Sequence, residues 1–307
     1  MSWSSRAVRV RAPATSANLG PGFDSLGLAL GLHDVVQARV TGSGLVIEVT
    51  GAGAQTAGDG ERHLVIRAMR AAFERIGEQP PGIALRCDNS VPQGFGLGSS
   101  AAAIVAGVLA ARVLCGEHGR EALPDDAVFQ LAAGLEGHAD NVAACLAGSL
   151  TVAWLAPSGF RYTRLAVLPG LAPVLCVPIV PVATVAARQV LPATVSHADA
   201  AQNAARAALL IASLTSDPAP LLDATVDFLH QPYRAPVMPE TAALVAALRA
   251  AGIPAVVSGA GPAVLALTVA GVTAGSAEVA VIAGRTGRDW TVTELPVNRH
   301  GAVAESV

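Results

Sequence analysis

The sequence predicts an α+β protein of two domains, and three observations carry that reading. The 307 residues suffice for two domains of roughly 150 residues each. Hydrophobic residues make up 52% and charged residues only 14%, so packed cores rather than disorder are expected. Strand-like and helix-like stretches mix along the chain without a regular βαβ alternation, which disfavours a doubly wound sheet.

Alternation in Ala7–Arg11 predicts a strand, followed by a loop rich in Pro, Gly, Ser and Asn from Pro13 to Gly22. Val35–Val40 and Leu45–Val49 read as a strand pair across the turn Gly42-Ser43-Gly44. Leu64–Ile76 has helical spacing, Ile83–Cys87 is strand-like, and a second glycine loop runs from Pro92 to Ser99. The alanine-rich run Ser100–Leu114, free of proline, predicts the strongest helix. Asp125 or Asp126 suits the cap of a helix ending near Gly134 to Gly137. Beyond Gly148 the pattern restarts, with a domain boundary expected near residue 150. Val174–Ile179 predicts a strand, Ala198–Leu214 and Pro239–Ala251 predict helices, and Ala255–Ser258 and Ala263–Val269 predict strands around the segment Gly259-Ala260-Gly261-Pro262.

Composition excludes several functions. All 20 basic residues are arginine, so no mechanism can rest on a lysine: not a Walker phosphate loop, a Schiff base or a pyridoxal anchor. The arginines are scattered, the formal charge is −3 and aromatics are 4%, which offers neither the basic stripe nor the stacking platform that nucleic acid requires. Cys87, Cys115, Cys145 and Cys176 are widely spaced without a C-x-x-C pair, as expected of ordinary reduced thiols in a cytoplasmic protein. No apolar run approaches the ~20 residues of a membrane span, and Arg6, Arg9 and Arg11 interrupt any signal-peptide core.

The most informative segment comprises Pro92, Gln93, Gly94, Phe95, Gly96, Leu97, Gly98, Ser99, Ser100, Ala101 and Ala102. Alternating glycines let the backbone turn sharply and approach a ligand without Cβ obstruction. Two serines follow at the start of the long helix, where unpaired N–H groups and the positive helix end suit a phosphate. A tight turn with a serine cap is the plain alternative. Gly96-Leu-Gly-Ser-Ser-Ala101 also fits the dinucleotide pattern, but Pro92 and Gln93 separate it from the preceding strand, and Glu117 and Glu121 are misplaced for its acidic partner.

The segment matches the P-x-x-x-G-L-G-S-S-A motif of the GHMP kinases at every position, and the chain resembles that family. Pro13-Ala-Thr-Ser-Ala-Asn-Leu-Gly-Pro-Gly-Phe-Asp24, Glu136-Gly-His-Ala-Asp-Asn-Val142 and Leu229-His-Gln-Pro-Tyr-Arg234 are similar to segments of its homoserine kinases, and Ser258-Gly-Ala-Gly-Pro262 to the glycine motif of the whole superfamily. The resemblance implies a GHMP fold with an ATP-binding N-terminal domain over 1–152 and an α/β-sandwich-like C-terminal domain over 153–307. It implies phosphorylation of the hydroxyl of L-homoserine by Mg·ATP, in threonine biosynthesis, with a homodimer common among relatives. Another GHMP small-molecule kinase, or a catalytically silent binder on the same fold, is the alternative.

Site residues follow from the same resemblance. Arg188 and Arg234 would hold the substrate carboxylate, as a planar guanidinium fork suits. Asn18 and Asp24 would accept from the ammonium, Thr184 would add a hydroxyl contact, and Gly259 would line the substrate. His138, Asp140 and Asn141 would flank the reacting hydroxyl, and His63 the adenine. Magnesium would fall to Ser100 (or its neighbour Ser99) and to Gln130, which occupies the place of a glutamate eight residues before the histidine. Glu136 lies six residues along the helix, about 120° from the Gln130 face, and is not expected to substitute.

Overall fold

The structure is a computed structural model describing residues 3–55, 60–179 and 189–307. Thr184 and Arg188 lie outside the described residues. The first sheet contains β1 (Val8–Ala17), β2 (Leu26–Thr41), β3 (Gly44–Gly51), β4 (Gly82–Asn89), β5 (Leu150–Ala156), β6 (Gly159–Leu165) and β11 (Val303–Ser306). Its order is β11-β1-β2-β4-β3, and β5 pairs with the opening residues of β2. Four helices pack on it: α1 (Leu64–Ile76), α2 (Ser99–Leu114), α4 (Asp125–Glu136) and α5 (Asp140–Ala147), with the short α3 (Gly116–Ala122) between α2 and α4. The second sheet, β10-β7-β9-β8, is built from β7 (Val174–Pro178), β8 (Ala255–Val257), β9 (Val264–Ala266) and β10 (Trp290–Glu294). Around it stand α6 (His197–Thr215), α7 (Pro239–Ala250) and α8 (Ser276–Gly284).

The elements follow the apolar periodicity. On α1, Val65, Ile66, Met69, Ala72, Phe73 and Ile76 recur at three- and four-residue spacing and are buried against the first sheet. On α2 ten of the sixteen residues are buried, five of them alanine, so this helix runs through the core with α1 on one side and β1 on the other. A separate cluster, including Leu26, Leu28, Leu97, Leu175, Leu210 and Leu265, joins residues of both sheets. Its burial holds the walls of the intervening cleft together.

Several expectations are corrected. Pro13–Ala17 is strand rather than loop: its residues are buried on both faces and show no alternation, and a register shift between Pro13 and Thr15 absorbs the proline. The strands at 35–40 and 45–49 exist but do not pair, because β4 lies between them, antiparallel to β2 and parallel to β3. Asp125 and Asp126 lie in the first turn of α4 without capping it. They oppose Arg112 and Arg161 at 2.6 and 2.8 Å, near the positive helix end. The chain leaves the first sheet after Leu165 and rejoins it at Val303, so the boundary expected at 152/153 falls within β5.

α1 and α2 approach closely because Gly107 has no side chain: a Cβ there would stand 2.5 Å from the Val65 carbonyl oxygen and 2.8 Å from Ala68. Gly107→Ala is therefore expected to lower the unfolding free energy by about 1–3 kcal/mol despite its better helix propensity. Urea titration checks it, and an unchanged midpoint would contradict this packing.

Candidate active site

Three backbone segments converge in the cleft between the sheets. The first is the end of β1 with the turn to Asp24, the second is Pro92–Ser100, and the third is Ser258–Pro262. Entry into the second is set by Asp34 on β2, whose carboxylate accepts hydrogen bonds from Ser90 and Val91 N–H at 2.7 and 2.8 Å. Gly94, Gly96 and Gly98 then adopt φ of +80°, +78° and +66°, which favours glycine at each. Any Cβ at Gly96 would overlap the Ser258 carbonyl oxygen, and at Gly98 the Thr15 hydroxyl. Thr15 N–H donates to the Leu97 carbonyl (3.0 Å), Ala263 N–H to Phe95 (3.2 Å) and Gly259 N–H to Ala17 (3.1 Å), lacing all three segments.

The loop delivers the chain into α2 with Gly98 as N-cap and no side chain capping the helix, so its first N–H groups are left for another acceptor. Two cavities meet there, and Ser99 and Ser100 line both. One, of about 240 Å³, is lined by Asp34, Arg62, His63, Asn89 and Gln93 among others. The other, of about 340 Å³, is lined by Asn18, Asp24, Gly94, Gly96, Glu136, His138, Asp140, Asn141, Arg234 and Gly259 among others. Among the described lining residues of the larger cavity, three carboxylates face one guanidinium, an excess of negative charge that suits a cation.

Most expected residues are thus brought together. Asp140 is buried at the start of α5 and accepts from Asn141 N–H at 2.7 Å. α5 comes this close because a Cβ at Gly27 would stand 2.5 Å from the Asp140 carbonyl. Thr15 donates to Asn141 Oδ1 at 2.7 Å, tying the Asp140–Asn141 turn to β1. Asn18 donates to the Gly259 carbonyl at 2.9 Å and accepts from Asp24 N–H at 2.9 Å. Arg234 is buried, with Nη1 donating to the same Gly259 carbonyl at 3.3 Å. His63 is buried in the smaller cavity with Nδ1 unpartnered, and burial pushes its pKa down so that the ring stays neutral. Ala101 and Ala102 face the protein core rather than either cavity, whereas Leu97 is buried in the second core cluster and also lines the larger cavity, and Phe95 packs against that cluster.

Gln130 is not brought to the site. Its amide is turned to β6, where Oε1 accepts from Phe160 N–H at 3.0 Å and Nε2 donates to the Phe160 carbonyl. Glu136 faces the cavity instead, and its carboxylate accepts from the Ser100 hydroxyl at 2.5 Å. The angular separation reckoned along the helix holds, but it is the Glu136 side that meets α2. Asp34, Thr15 and Ser258 were also missed. Glu136 was in view as the first residue of the segment ending at Val142, but its angle from the Gln130 face set it aside.

Residues 63–149 match the GHMP kinases N terminal domain and residues 205–278 match the GHMP kinases C terminal domain. The chain is 52% identical to a homoserine kinase of Streptomyces coelicolor over 96% of this chain and 94% of that protein. The chain belongs to the homoserine kinases of the GHMP family. A homoserine kinase of Clavibacter michiganensis is 45% identical over 98% of this chain and 95% of its own length. Among solved structures, the homoserine kinase of Cytophaga hutchinsonii superposes with a TM-score of 0.84 at 28% identity, covering 99% of both chains. The GHMP assignment accounts for the α+β architecture.

The Gln130 amide makes both of its hydrogen bonds to one backbone unit. Gln130→Glu removes the donor and sets a carboxylate against the Phe160 carbonyl, so a loss of about 1–3 kcal/mol of stability is expected. Thermal or urea unfolding reads it, and an equal or higher stability would contradict the assigned amide geometry.

Proposed function

We propose that this chain transfers the terminal phosphoryl group of ATP to the side-chain hydroxyl of L-homoserine, giving ADP and O-phospho-L-homoserine. The observation that carries the reading is the larger cavity. The open N-terminus of α2 forms one wall of it, and Asn18, Asp24 and Arg234 stand among the residues of the others. Phosphoryl transfer asks the protein mainly to position two substrates and to neutralise charge on the group in flight. In this reading the nucleoside occupies the cavity beside His63, and the phosphates lie over Gly94–Ser100. Homoserine presents a carboxylate to Arg234, an ammonium to Asn18 and Asp24, and its hydroxyl to the side of Asp140.

The donor set also fits a magnesium ion. Ser100, Glu136 and Asp140 offer a hydroxyl and two carboxylates at the phosphate loop, the hard oxygen ligands that this ion prefers beside nucleotide phosphates. Bound there, the metal would offset negative charge on the phosphoryl oxygens. Glu136 thus takes the place first expected of Gln130. The reading brings with it a cytoplasmic setting in threonine biosynthesis. It also treats the two sheets as the cores of two domains, the first completed by β6 and by the returning β11.

Release of ADP from Mg·ATP tests the proposal, with L-homoserine compared against mevalonate, galactose and no acceptor. Homoserine-dependent turnover on the order of 1–100 s⁻¹ is expected; turnover with a different acceptor alone would sink the assignment. In the same assay Glu136→Gln should raise the Mg²⁺ concentration for half-maximal rate by about tenfold. Gln130→Glu should leave it unchanged, and the opposite pattern would return the metal to Gln130.

A further inference from the structure

Beneath the larger cavity lies a side chain that no step above has used. His230 is fully buried and precedes the single helical turn Gln231–Arg234. Its Nδ1 lies 2.9 Å from Nη1 of Arg234. Its Nε2 lies 2.9 Å from the carbonyl oxygen of Gly20 and 3.4 Å from a carboxylate oxygen of Asp227. A guanidinium can only donate, so Nδ1 must carry the lone pair; a carbonyl and a carboxylate can only accept, so the proton sits on Nε2. The ring has no freedom to be otherwise without breaking a contact at one end.

Each contact leads to a different half of the substrate pocket. Arg234 belongs to the carboxylate side. Gly20, at φ +79°, begins the turn from Asn18 to Asp24 on the ammonium side. Within that turn Phe23 lies over the His230 ring, 5.2 Å between centroids at 28°, and Arg234 stands 5.7 Å from the Phe23 centroid. Asp227 holds the base of the assembly, accepting from the N–H groups of Leu229 (2.9 Å), His230 (3.1 Å) and Gln231 (2.6 Å).

We propose that His230 is a positioning residue: a neutral imidazole, protonated at Nε2, that holds the Arg234 guanidinium through Nδ1 and the Asn18–Asp24 turn through Nε2, so that one ring sets the distance between the carboxylate and ammonium sites. The inference rests on the homoserine reading above. It assigns His230 to acceptor binding and not to nucleotide binding, because none of its contacts leads to the cavity beside His63. Proton gain at Nδ1 would place an N–H against the guanidinium and release Arg234. The charged groups facing the ring are Asp227 and Asp24, which favour the proton, and Arg234, which opposes it. Burial opposes it most, and the balance keeps the pKa below the ordinary imidazole value.

The test compares wild type with His230→Phe, which keeps the stacking but neither hydrogen bond, and His230→Asn, whose Oδ1 restores an acceptor for Arg234. KM for homoserine and KM for ATP are measured separately across pH. His230→Phe should raise KM for homoserine by about tenfold or more with KM for ATP within about twofold, and His230→Asn should recover much of that loss. In wild type, homoserine affinity should fall as pH drops below the ordinary imidazole range, and that acid limb should vanish in His230→Asn. An unmoved KM for homoserine in folded His230→Phe, or an equal rise for both substrates, would overturn the proposal. Nitrogen-15 NMR of the free wild-type protein reads the tautomer directly, with protonation at Nε2 alone expected at neutral pH; a proton on Nδ1 would overturn it whatever the acceptor. A wild-type enzyme that fails to use homoserine would overturn the substrate reading separately, and the tautomer would then decide the tether.

Discussion

The site depends on one backbone crossing. The hydroxyl of Ser258 meets the carbonyl of Gly96 at 2.7 Å and lies 2.9 Å from the hydroxyl of Ser16. At that point the Pro92–Ser100 loop, the end of β1 and the glycine segment after β8 pass within hydrogen-bonding distance of one another. The approach is possible because neither Gly96 nor Gly259 carries a Cβ: at Gly96 it would overlap the Ser258 carbonyl, and at Gly259 it would stand 3.0 Å from the Gly96 carbonyl. Each strand of the crossing comes from a distant part of the chain, yet together they fix where the N-terminus of α2 points. Ser99 and Ser100, at that N-terminus, line both cavities.

The second constraint is electrostatic. A chain with only 14% charged residues nonetheless buries Asp140 and Arg234 on the wall of the larger cavity and Asp227 behind it, against His230. Burying charge is unfavourable unless hydrogen bonds replace water, and here they do. Asp140 accepts from a backbone N–H, Asp227 accepts three, and Arg234 donates to His230 and to the Gly259 carbonyl. Such groups are poor stabilisers, but their hydrogen bonds fix where each charge stands.

Local pattern made much of the fold legible. Leu64–Ile76 was read to the residue because its apolar stripe keeps helical period, and α2 was read to within one residue because its run is alanine-rich and free of proline. The strand at Pro13–Ala17 was not legible, since a strand buried on both faces and interrupted by proline lacks the alternation that marks one. Nor was the insertion of β4 between β2 and β3, because strand order is a matter of long-range pairing and leaves no trace in local sequence.

The candidate site divides in the same way. By itself the sequence determined the glycine loop that opens α2, because alternating glycines followed by serines at a helix start are a local device whose geometry is written in adjacent residues. Contiguous motifs likewise singled out Asn18, Asp24, Asp140 and Arg234, which line the larger cavity. Only the tertiary structure decided that Glu136 rather than Gln130 meets Ser100, since the choice depends on which face of α4 turns to α2 and which to β6. Only the tertiary structure placed His230 between Arg234 and Gly20, because that bridge joins residues 210 positions apart. Local sequence governs dihedral angles and helix ends; the apolar cluster buried between the two sheets governs which distant side chains meet.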